Sequence, residues 1–99
     1  MTTNTSRSLL PTTRQLVIRE ALYQGRHAAI EVRCGAASEY RTRRARWEAI
    51  AAKSGWTSEL LDEGWNAYCT SFAAESIDDV ATAQKFVDAV DSWKQIAGL

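Results

Sequence analysis

A chain of 99 residues, 45% hydrophobic and 24% charged, has the length of one domain and the composition of a globular protein, which excludes a wholly disordered chain. Its formal net charge is zero, but ten Lys/Arg against four acids fall in residues 1–53 and two Lys against eight acids in residues 54–99, a split of +6 and −6. No apolar run approaches the roughly 18 residues of a membrane span, and Cys34 and Cys69 are too few for a disulfide framework, so a cytoplasmic location with reduced thiols is expected.

Met1 to Ser8 is rich in Thr, Ser and Asn without periodicity and is expected to be a disordered tail, leaving residues 9–99 as one helical domain. Thr12 and Gln15 have the spacing of a capping box, which predicts a first helix from Thr13. Ile18, Ala21, Leu22, Gly25, Ala28, Ala29 and Val32 follow at steps of three and four as its apolar face. Gly25 either admits a close neighbour or divides that helix. Residues 28–34 also alternate as a strand would, but no second strand exists to pair with them, and helix is preferred.

Gly35 to Ser38 breaks the pattern, with Ser38 as the expected N-cap of a second helix. Its inward stripe is Tyr40, Trp47, Ile50, Ala51 and Ser54, which leaves Arg41, Arg43, Arg44 and Arg46 largely outside. Gly55 is placed as a left-handed helix terminator, and Trp56, Thr57 and Leu61 as a hydrophobic staple that opens a third helix at Ser58. Leu61, Trp65, Tyr68 and Phe72 line one face of that helix, and Gly64 is expected to kink or shorten it. Ser76 with Asp79 predicts another N-cap, with acids in the first turn of a last helix that runs to about Ala97 on the stripe Ala83, Phe86, Val87, Val90, Trp93 and Ala97. The fold expected is all-α, a compact bundle of four to five short helices.

The chemistry-bearing residues are sparse. His27 and Cys34, seven positions apart, would lie about 10 Å apart along a helix, too far for a nucleophile and its base. One His and two distant Cys lack zinc-site spacing, and the pairs Asp62/Glu63 and Asp78/Asp79 sit where helix N-termini favour acids. No glycine-rich phosphate loop is present. These absences predict a non-enzymatic protein without metal or cofactor.

Two charged stretches remain. Tyr40 to Trp47 contains Arg41, Arg43, Arg44 and Arg46 between two aromatics, enough for a phosphate-contacting strip. Ile50, Ala51, Gly55, Trp56, Thr57 and Leu61 resemble the helix-turn-helix of bacterial regulators, which implies a recognition helix after Thr57. Two departures oppose it: Gly64 replaces an apolar core residue, and the outward positions include Glu59, Asp62 and Glu63, which DNA phosphates would repel.

The expectation is a small module that binds a protein partner, including a partner within a nucleoprotein complex, through Glu59, Asp62 and Glu63 or through Tyr40, Arg41, Arg43, Arg44 and Arg46. In size and character it is similar to phage and mobile-element inhibitors such as anti-CRISPR proteins, which implies an inhibitor of a host nucleic-acid-processing complex. The alternative is a DNA- or RNA-binding regulator that uses the strip from Arg41 to Arg46.

Overall fold

The computed structural model describes residues 10–36 and 39–99; the expected tail and the Ser38 cap lie outside them. The described residues form four helices and no strand: α1 Thr13–Arg33, α2 Tyr40–Ser54, α3 Ser58–Ser76 and α4 Val80–Ala97.

Both halves of the capping box start α1: Gln15 N–H donates to Thr12 Oγ1 at 3.1 Å, and Thr12 N–H donates to Gln15 Oε1 at 2.9 Å. The helix runs unbroken through Gly25 and through residues 28–33, so the strand alternative is replaced by helix. Its core face is Val17, Ile18, Ala21, Leu22, Gly25, Ala28 and Ala29. Val32, expected in that stripe, is exposed because it lies in the final turn, past the buried seam.

Gly25 marks a close approach of α1 to α3. A Cβ there would run into the carbonyl oxygen of Tyr68 and stand 3.0 Å from Ser71 Cβ, so α1 and α3 touch backbone to backbone. Three cross-helix bonds, Arg14 to Glu63, Ser71 to the Leu22 carbonyl and Arg26 to Glu75, share one separation of 49 residues. A constant offset requires the two helices to run parallel. α2 is the crossover between them, as parallel neighbours require a connection that returns the chain to its starting end.

Trp47 is the hinge of that crossover. It is fully buried, donates its indole N–H to the Leu61 carbonyl at 3.0 Å, and lies 5.2 Å from the Trp56 ring and 5.8 Å from the Tyr68 ring. Gly64 makes room for it: a Cβ at Gly64 would collide with the Trp47 ring and lie 2.8 Å from Val17 Cγ1. The predicted kink is therefore absent, and α3 is continuous across Gly64, which serves as a socket. The ends of the α2 stripe also differ from expectation, since Tyr40, which meets α3 only edge-on at Trp65, and Ser54, in the last turn, are both exposed.

The turn between α2 and α3 follows its sequence: Gly55 is left-handed at φ 73°, and Thr57 Oγ1 accepts from Leu60 N–H at 3.2 Å. Trp56 and Leu61 both pack against the core, as a staple requires. The next boundary is shifted. Ser76 ends α3, its hydroxyl donating to the Phe72 carbonyl, and Asp79 caps α4 by accepting from Thr82 N–H at 2.8 Å and Thr82 Oγ1 at 2.6 Å. Asp78 and Asp79 thus precede α4, and its first turn carries no acid.

α4 runs back antiparallel to α1, with Ala97 fully buried and its carbonyl accepting from Arg19 Nε at 2.9 Å. Phe86, Val90 and Trp93 are half-buried, while Val87 is exposed, because α4 covers one edge of the α1–α3 pair rather than filling its centre.

Candidate functional site

The inward spacing of α2 places Tyr40, Arg43, Arg44 and Trp47 on its α3 side, so two of the four arginines of the strip are half-buried. Arg43 lies over the Phe72 ring, its Cζ 4.1 Å from the centroid, and Arg44 over the Trp65 ring at 5.2 Å. Arg44 also donates to Glu48 at 3.1 Å and stands 3.6 Å from Asp62. Tyr40 is 60% exposed and meets Trp65 edge-on at 5.5 Å. Tyr40, Arg43, Arg44, Glu48, Asp62 and Trp65 therefore form one edge of mixed sign along the α2–α3 seam. Arg41 and Arg46 are exposed and project away from this packing.

The acidic cluster is divided. Glu63 faces α1, where Arg14 Nε and Nη2 make three contacts with its carboxylate between 2.6 and 3.0 Å. Hydrogen bonding from Arg14 holds the Glu63 carboxyl below its usual range, against a smaller desolvation effect. Asp62 leans to Arg44, and Glu59 is exposed without a side-chain partner among the described residues. The exposed stripe of α3 is narrow, Ser58, Glu59, Asp62 and Asn66, because the other faces of α3 pack against all three remaining helices. A helix buried on so many sides offers little length to a DNA groove.

Burial pushes the Cys69 thiol up, with Arg43 and Arg44 only partly opposing it, and Cys34 is exposed at the end of α1. His27 stacks on Tyr23 at 5.7 Å and approaches Glu31 at 3.8 Å. Among the described residues no group of three His, Cys, Asp or Glu side chains could hold a metal ion, and no helix is long and apolar enough to cross a membrane.

A second feature has little signature in the sequence. Between α1 and α4 lies a half-open groove of about 490 Å³, with Leu22 and Ser71 buried at its floor and Val90 on its wall. Arg19, Tyr23, Arg26 and Lys94 stand at its rim. Its only sequence signal is Tyr23, an aromatic off the apolar stripe of α1 and 62% exposed.

The chain is thus an all-α domain built on a parallel helix pair, with an arginine–aromatic edge on one side and a cationic groove on the other. Compared with family models, curated proteins and solved structures, it matches none.

Proposed function

We propose that the protein is a small non-enzymatic binding module that engages a protein partner through the α2–α3 edge. The observation that supports this reading is Arg44, stacked on Trp65 between Glu48 and Asp62 with exposed Tyr40 alongside. Arg and aromatic side chains held in place by packing are the chemistry of interface hot spots, because little rotamer entropy is left to lose. The adjacent carboxylates suit a partner with charges of both signs and oppose a uniformly anionic backbone. Inhibition of a nucleic-acid-processing complex, by contact with its protein component, is the specific form this reading takes.

The test is capture of a partner from a cell extract by immobilised protein, with and without nuclease, using wild type and the variants Tyr40→Ala and Arg44→Ala. Nuclease-resistant capture that either variant weakens about thirtyfold is expected, the loss of one hot spot. Unchanged capture by both variants would exclude this edge.

The alternative of direct nucleic-acid binding has its own observation: Arg41, Arg46 and Lys53 are exposed on α2. A gel-shift affinity that falls steeply with salt, and that Arg41→Glu and Arg46→Glu abolish, would favour it.

A further inference from the structure

We propose that the groove between α1 and α4 binds a small organic acid, a carboxylate on an apolar body. The argument begins with unspent donors. The Lys94 ammonium and the Tyr23 hydroxyl have no side-chain or backbone partner among the described residues. Arg26 uses only its Nε, toward Glu75 at 3.1 Å, so its terminal N–H groups are still available. Arg19 is partly committed, donating to the carbonyls of Ala97 and Gly98.

The acceptor side is largely committed. Glu75 is the only acidic side chain that lines the groove among the described residues, and its two oxygens are held by Arg26 and Arg33, both at 3.1 Å. The Ser71 hydroxyl spends its hydrogen on the Leu22 carbonyl at 2.8 Å. A groove with three cations, one neutralised acid and a free phenol therefore selects an acceptor without hydrogens of its own. A carboxylate, with two oxygens and about four lone-pair sites, matches Lys94, Tyr23 and Arg26 together.

The body of the ligand follows from the walls. Leu22, Val90 and Leu99 are apolar, and the Tyr23 ring offers a face for stacking. The volume of about 490 Å³ lies within the range of small-molecule sites. A bare anion would leave those walls wet, and an uncharged hydrocarbon would leave the donors unmatched. This site is separate from the α2–α3 edge and does not depend on the function proposed for it.

The probe is 2-naphthoate, titrated into the full-length 15N-labelled protein and followed by amide chemical shifts. Saturable shifts confined to residues 19–26, 71–75 and 90–99 are expected. Inorganic phosphate and 2-naphthalenemethanol, which supply only the charge or only the apolar body, should each bind at least about tenfold more weakly. Lys94→Ala should weaken 2-naphthoate about tenfold and Tyr23→Phe a few-fold, with α2 shifts unmoved. Both positions are exposed, and unchanged amide spectra in the absence of probe would show that the variants fold. Non-saturating shifts, equal binding of either control compound, or undiminished binding by the folded Lys94→Ala variant would each overturn the proposal.

Discussion

Replacing Gly25 with alanine sets two opposing effects against each other, and the structure decides between them. In an isolated helix the change is favourable by about 1 kcal/mol. Here the new methyl group meets the Tyr68 carbonyl oxygen, a backbone atom inside α3 that cannot rotate away, and lies 3.0 Å from Ser71 Cβ. Restoring an ordinary carbon–oxygen contact requires α1 and α3 to separate by on the order of 1 Å. That separation stretches the buried 2.8 Å bond from Ser71 to the Leu22 carbonyl and loosens contacts around Ala21, Ala28 and Ala67. Overpacking costs about 1–3 kcal/mol and the weakened buried bond about 1 kcal/mol more, so a net loss of about 2 kcal/mol is expected. In a domain of this size the midpoint of thermal unfolding should fall by about 8–16 °C. Circular dichroism melts compare Gly25→Ala with Gly35→Ala, a position at φ 95° where a Cβ meets nothing within 4 Å and only backbone strain is added. A Gly25→Ala variant as stable as wild type would refute the backbone contact between α1 and α3.

Three further outcomes follow from single contacts. Trp47→Phe removes the indole donor to Leu61 and opens a gap beside Gly64, at a cost of about 2 kcal/mol in urea unfolding; because Phe vacates the space that a Cβ at Gly64 would enter, Gly64→Ala should cost less in the Trp47→Phe background than in wild type. Thr57→Ala removes the cap on Leu60 N–H and should cost about 1 kcal/mol by the same measurement. Glu63 is held below its usual carboxyl range, so its pair with Arg14 stabilises the fold fully above an unfolded pKa of about 4.3, and that contribution is lost as pH falls through the depressed folded value. The melting-temperature gap between wild type and Glu63→Gln should accordingly close as pH is lowered from about 5, and a gap that widens toward acid would contradict the pairing.

Local chemistry was legible in the sequence where it is local in fact. The Thr12–Gln15 box, the left-handed Gly55 and the Thr57 cap involve residues within a few positions of one another, and each stands as its spacing implied. Stripes were legible in direction but not in extent: Val32, Tyr40, Ser54 and Val87 hold apolar-face positions, yet periodicity reports an angle around a helix and not where the neighbouring helix stops. Ser76 is the expected cap and Asp79 an expected first-turn acid, yet Asp79 is the cap, because the boundary depends on where α3 loses its last contact, which is tertiary. Gly64 inside a helix implies a kink from local sequence alone, because the atoms that need its missing side chain, in Trp47 and Val17, are 17 and 47 residues away. Of the candidate site, the residue set of the arginine strip could be read, but its division into Arg43 and Arg44 laid on rings and Arg41 and Arg46 turned outward needed the position of α3.

The charge segregation of the chain acquires its meaning from the parallel pair. Arg14–Glu63 near one end of the α1–α3 seam and Arg26–Glu75 with Arg33–Glu75 toward the other join the basic first half to the acidic second half, while Arg44–Asp62 does the same across α2 and α3. Exposed pairs of this kind contribute only about 0–1 kcal/mol each, too little to explain the fold. The offset of 49 residues shared by the Arg14–Glu63 and Arg26–Glu75 pairs points to a different role. The small residues of the core, Ala21, Ala28 and Ala67, are alike in shape and discriminate only weakly between registers one turn apart. Sliding by one turn breaks the Arg14 and Arg26 pairs at once and moves Gly25 off the Tyr68 carbonyl and Gly64 off Trp47. The Arg14 and Arg26 pairs therefore join the basic and acidic halves at one register, the one in which Gly25 meets the Tyr68 carbonyl and Gly64 meets Trp47.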